Sequence, residues 1–296
     1  GTVEIAGIKN YTEVEKVSLE GKKAEEQDLR QIQVLQQRRI EEQKTERKEI
    51  LDITKGQEAV YQNIINNKEK TAQEIRAELF VLRDTGAIPF GKALALAEQA
   101  EARTGVRAAF ILGILAEESN LGENVGTGTW RTDMHPNRDR PVFAVVADTL
   151  GFNPDDLPVS RKPWYGWGGA MGPAQFIPST WACFAGYVNS LTGSCRWGKG
   201  YTGTWSYNVS KDRIRRLIGE NRPANPWEPQ DAIMAAADLL DDNGASKGTY
   251  QAERLAALRY FAGWANATKS AYAFYGDDVM ELATFYQKQI DILKNS

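Results

Sequence analysis

From about residue 84 onward, apolar side chains recur at helical spacing. "FGKALALAEQAEART" (Phe90 to Thr104) reads as an amphipathic helix ending near Gly105. "RAAFILGILAEESNLG" is a second, strongly apolar helix stopped by Gly122. "DRPVFAVVADTLG" and "QDAIMAAADLLDDNG" give two more, the latter with Gly244 as its stop signal. "AERLAALRYFAGW" and "DDVMELATFYQKQIDILKN" close the chain. No β-alternation of useful length breaks the series, so the pattern predicts a mainly α-helical domain over residues 84–296.

The first part differs. Between residues 22 and 82 apolar side chains recur sparsely, at Leu29, Ile32, Leu35, Ile40, Ile50, Ile53, Val60, Ile64, Ile75 and Leu79. Such a stripe is too thin for a core but suits a seam between two helices. With Gly56 as the break, it predicts an antiparallel, coiled-coil-like hairpin within residues 1–83. A single long solvated helix used as a spacer is the other arrangement the pattern allows. "GTVEIAGIKNYTEV" alternates weakly and stays unassigned. Composition marks the same boundary: every tryptophan lies between Trp130 and Trp264, the first proline is Pro89, and "RDTGAIPFG" reads as the hinge.

Charge and cysteine content narrow the function. A formal net charge of -3 leaves no nucleic-acid footprint over the whole chain. No apolar run reaches the ~18 residues of a transmembrane span. No signal peptide stands at Gly1, which fits a cytosolic, a mature or a trimmed chain. Cys183 and Cys195 are close enough to close a short disulfide loop, and two free core thiols are the alternative. His135 is the one histidine, which argues against a histidine-based zinc site, a Ser-His-Asp triad and a Cys-His pair. No metal or cofactor is expected.

One acidic residue stands out. Ile111, Ile114 and Leu115 form a helical stripe, and Glu118 is its next member, while Glu117 is rotated by about 100°. Partial desolvation and the helix's negative end would both favour a proton on Glu118, as a general acid needs. A solvated glutamate at a helix rim is the plain alternative. Glycosidases commonly pair two carboxylates, yet spacing places no second one here. Asp133, His135 and Asp139 in "TDMHPNRDRP" fit turn and cap hydrogen bonds better than a metal site.

A second stretch, "GGAMGPAQFIPSTW" (Gly168 to Trp181), is poor helix and poor strand, as if its backbone were shaped to fit something. Together "GILAEESNLG" and this stretch resemble the lytic transglycosylases, which cut bacterial peptidoglycan on a lysozyme-like fold. "NPWEPQDAIMAAADLLDDNG" resembles that family's Trp-(Asp/Glu)-Pro-x-Asp-Ala-Ile segment, and "RYFAG" its superfamily's Tyr-Asn-Ala-Gly motif. The likeness is closest to the membrane-bound type B enzymes and covers residues 84–296.

The resemblance implies that Glu118 is the catalytic acid/base and that Ser119 steadies the glutamate or the substrate. It implies that Met171 and Gly172 line the glycan groove, that Gln175 bonds substrate with Phe176 as its support, and that Tyr260 faces the cleft. Trp130, Trp164, Tyr165 and Trp167 lie on flanking loops, where some are expected to pack on sugar faces and others in the core. Phe261 departs from the motif's Asn, and no calcium loop follows Trp181; the cysteines and "CRWGKGYTGTWSY" occupy that place.

The implied reaction uses one glutamate twice. It protonates the oxygen between N-acetylmuramic acid and N-acetylglucosamine, then takes the proton of the muramic 6-hydroxyl to leave a 1,6-anhydro end. A lysozyme-type hydrolase and an idle glycan-binding scaffold are the competing readings. The expected partner is peptidoglycan, in the bacterial envelope or outside the cell. The helical arm offers a surface for a protein partner or for self-association.

Overall fold

The computed structural model describes residues 88–295 except Tyr165. The expected helical arm of residues 1–83 and Tyr165 therefore lie outside the described residues. Helix α1 (Phe90–Thr104) ends on Gly105 in the left-handed conformation, and α2 (Ala108–Ser119) follows almost at once. A single turn α3 (Trp130–Asp133), α4 (Arg140–Leu150) and α5 (Pro178–Ala185) come next. After a small sheet come α6 (Arg213–Ile218), α7 (Pro229–Asp242), α8 (Tyr250–Ala262) and the long α9 (Ala273–Asn295). The described residues are thus mainly helical, as the hydrophobic pattern predicts.

Two details differ from that pattern. Strands β1 (Gly186–Asn189) and β2 (Trp205–Asp212) form an antiparallel pair, with Tyr187 opposite Tyr207 and Asn189 opposite Trp205. The expectation of no useful strand fails here because β2 is mostly exposed, so its side chains need not alternate cleanly between apolar and polar. Helix α2 also stops before Gly122. Asn120 and Leu121 both take positive φ, and Asn120 N–H returns to the Ala116 carbonyl.

The core is organised around α2. Every residue from Ala108 to Leu115 is buried, so this helix has no solvent face over its first two turns. Helix α9 packs along it at short range. A Cβ at Gly113 would meet the Val279 carbonyl at 2.9 Å and the Ala283 nitrogen at 3.2 Å, so glycine sets how near the two backbones come. At the start of α2, Arg107 makes a two-point ion pair with buried Glu253 of α8, at 3.0 and 2.8 Å, and donates to Gln287 of α9 at 3.1 Å. Helices α8 and α9 are thereby fixed to one end of α2, and their other ends reach its C-terminal turn.

A sulfur–sulfur bond joins Cys183 on α5 to Cys195 in the connection between β1 and β2. Of the two readings of this cysteine pair, the structure has the disulfide. No helix among the described residues is long and apolar enough to cross a membrane.

Replacing Gly113 by leucine should force α9 away from α2. The expected loss is about 1–3 kcal/mol of stability, the usual cost of overfilling a packed interior, read as a lower urea midpoint.

Candidate active site

Glu118 stands in the last turn of α2, half-buried, on the wall of a cleft of about 420 Å³. Among the described residues it is the one carboxylate lining that cleft. The buried carboxylates elsewhere are tied to structure. Asp212 accepts from the Arg215 and Ala224 backbones and from the Tyr207 hydroxyl, at 2.9, 3.1 and 2.8 Å. Asp231 is paired with Arg222 at 2.5 Å. Asp139 accepts from the Ser179 backbone at 3.0 Å and is paired with Arg138.

Tyr275, two residues into α9, donates its phenolic hydrogen to Oε1 of Glu118. Burial, then the charge of Glu118, pushes the Tyr275 phenol well above its ordinary pKa. Phe261 lies flat against the Tyr275 ring, with centroids 4.4 Å apart and planes 9° apart. The residue that departs from the family-like motif thus holds the ring that holds the glutamate. Sequence reasoning missed Tyr275, which is 157 residues from Glu118. An available signal was a tyrosine at the start of the last helix, following "RYFAG" closely.

The glycine-rich stretch brings its later residues, Gln175 and Phe176, into the same lining. It runs extended beside the 159–161 segment, with Gly169 N–H bonded to the Ser160 carbonyl and Ser160 N–H to the Ala170 carbonyl, each at 2.9 Å. Met171 N–H then bonds to the Phe176 carbonyl at 2.8 Å and closes a tight loop. Within the loop Gly172 has φ 64°, and a Cβ there would sit 1.8 Å from the Pro226 carbonyl oxygen. Gln175 has φ 56°, a costly conformation for a residue with a side chain. Its backbone N–H and its Nε2 both donate to the Gly172 carbonyl, at 3.1 and 2.8 Å, and Nε2 also reaches the Val125 carbonyl at 3.4 Å. The side-chain oxygen of Gln175 remains as an acceptor on the cleft wall.

Two side chains tie this loop to the rest of the site. Ser119, 1% exposed, donates to the Pro173 carbonyl at 2.6 Å and accepts from Gly122 N–H at 2.9 Å. Tyr260 of α8 donates to the Ala174 carbonyl at 2.5 Å. Burial first, and the charge of Glu118 second, raises its phenol well above the ordinary range.

The cleft therefore brings together Glu118, Gln175, Phe176 and Tyr260 of the expected residues, with Phe261 beside them. Met171 is fully buried behind the loop, and Ser119 lies beneath it. Gly172 serves through its carbonyl and its lack of a side chain. Trp167 is outside the cleft lining; its ring lies 5.5 Å from His135 and carries Lys162 Nζ at 3.8 Å. Trp130 stacks on Phe143 and donates to Asp155 at 2.8 Å. In the "TDMHPNRDRP" stretch, Asp133 accepts from the Thr129 and Lys162 backbones at 2.7 and 2.8 Å. His135 Nδ1 accepts from the Asn137 and Arg138 backbones, at 3.2 and 3.0 Å.

Tyr275→Phe removes the hydrogen bond to the Glu118 carboxyl while keeping the stacked ring, so it should cost about 1–3 kcal/mol in equilibrium unfolding. Gly172→Ala should destabilise the protein more than Gly193→Ala. Both sites have positive φ, but a Cβ at Gly193 meets nothing within 4 Å. Paired thermal melts measure the difference.

No family model matches the chain, and no curated protein does. Among solved structures it is similar to the Escherichia coli lytic transglycosylase Slt35 in complex with bulgecin A. That likeness has 17% identity over 64% of this chain and 71% of that one, with a TM-score of 0.36. It is also similar to a 36 kDa muramidase/transglycosylase, at 16% identity over 77% of this chain and 94% of that one, with a TM-score of 0.37.

Proposed function

We propose that the protein is a peptidoglycan lytic transglycosylase acting outside the cytoplasm, with Glu118 as its acid/base. The observation that carries this reading is a cleft whose lining, among the described residues, has a single carboxylate, set at the end of a buried helix, with Gln175 in the same lining. A two-carboxylate hydrolase needs a second acid across the sugar ring, and among the described residues the cleft lining offers none. The order of the four motif-like stretches, from "GILAEESNLG" to "RYFAG", supports the same reading. The disulfide fits an oxidising compartment.

In the proposed reaction Glu118 gives its proton to the glycosidic oxygen between N-acetylmuramic acid and N-acetylglucosamine. The C1–O bond breaks, and the muramic acetamide oxygen closes on C1 from the other face. Glu118, now a carboxylate, takes the proton of the muramic 6-hydroxyl. That oxygen attacks C1, the acetamide leaves, and a 1,6-anhydro ring forms with no water consumed. Tyr275 acts by steadying the carboxylate form between the two proton transfers. The side-chain oxygen of Gln175 accepts from an amide or hydroxyl of the sugar.

Mass spectrometry of fragments released from purified peptidoglycan tests this. Muramic ends lighter by one water are expected, and Glu118→Gln should lower their release by about 10²–10⁴-fold, the usual contribution of a general acid. Full reducing ends would make the protein a hydrolase. No release by the wild-type chain would leave a glycan-binding scaffold.

A further inference from the structure

Among the described residues, the cleft lining carries one charged side chain besides the carboxylate of Glu118: the cation Arg259, in the last turn of α8. The proposed acid/base chemistry does not use it. No carboxylate among the described residues lies within ion-pair distance of Arg259, whereas Arg107, Arg213, Arg222 and Arg254 each hold one. Its guanidinium is nonetheless held firmly. Nη1 donates to the Asn243 carbonyl at 2.8 Å, and Cζ lies 3.5 Å above the Trp264 ring. Trp264 is 61% exposed, and its indole N–H donates to Asn243 Oδ1 at 3.1 Å. Asn243 is itself buried, and its Nδ2 is spent on the Ala256 carbonyl at 3.3 Å. One buried amide residue thus fixes both the cation and the ring beneath it. Arg259 lines the cleft that holds Glu118, and a guanidinium with one N–H committed to Asn243 keeps further N–H donors.

We propose that Arg259, stacked on Trp264, is a carboxylate-reading subsite that recognises the anionic substituent of a muramic residue. This rests on the peptidoglycan reading. A guanidinium edge matches a carboxylate through two parallel N–H···O bonds, and an arginine held in place loses little entropy on binding. Two carboxylates on peptidoglycan have that chemistry: the lactyl group of peptide-free strands and those of the stem peptide.

The test measures binding, so that it does not depend on turnover. Glu118→Gln protein is titrated calorimetrically with peptide-free glycan oligomers, with the same oligomers after methylamidation of their lactyl groups, and with peptide-bearing oligomers. Arg259→Gln and Arg259→Lys are made in that background, and near-ultraviolet circular dichroism checks that each is folded. The parent should prefer a carboxylate-bearing ligand over the amidated one by about 10–100-fold, the range of a charge-assisted hydrogen-bonded pair. Arg259→Gln should bring that ratio close to one, and Arg259→Lys should keep only part of it, because an ammonium lacks the planar fork. A preference for peptide-free strands assigns the lactyl carboxylate; a preference confined to peptide-bearing strands assigns the stem peptide. A ratio near one in the parent overturns the proposal, as does a ratio that Arg259→Gln leaves unchanged. Absence of cleavage by the wild-type chain beside carboxylate-selective binding would instead overturn the catalytic reading and leave the subsite standing.

Discussion

A carboxylate at the end of a helix with almost no solvent-facing surface is the constraint on which this structure turns. Helix α2 is buried from Ala108 to Leu115, and its axis runs out at Glu118. An ionisable group half-buried in this way is oriented by the protein partners it finds. The Tyr275 hydroxyl is one such partner, and its position follows from the approach of α9 to α2 at Gly113. The Arg107–Glu253 pair holds the other end. A missing side chain in the middle of a helix and an ion pair at its start therefore decide where a phenol sits at its finish.

The loop from Met171 to Phe176 depends on the same helix. Ser119 and Tyr260 each donate to one of its carbonyls, from α2 and α8 respectively. The left-handed backbone at Gln175 survives because its N–H and side-chain amide both fasten to Gly172. Such a loop is a rigid template, which lowers the entropy lost when a flexible ligand is ordered against it.

Much of this arrangement was legible in the chain. The helices of the described region follow from apolar spacing, because packing against one core enforces the helical period over many turns. Glu118 follows from the stripe of Ile111, Ile114 and Leu115, since a helix carries its face forward without interruption. The β1–β2 hairpin was not legible, because its second strand is too exposed to impose alternation. Tyr275 was not legible either. Nothing local distinguishes it from other tyrosines, and its role arises from contact between the second and the last helix. Phe261 looked like the loss of a polar contact, and its packing role emerged only once Tyr275 was seen beneath it.

The disulfide has a further consequence. Thr180, one turn before Cys183 on α5, lines the cleft, so the covalent link to Cys195 anchors a wall of the site. Reduced thiols would leave that helix held by packing and by hydrogen bonds such as Ser179 N–H to Asp139. The bracing of that wall is then coupled to the redox history of the chain: molecules matured where thiols oxidise carry it, and those kept in a reducing cytosol do not.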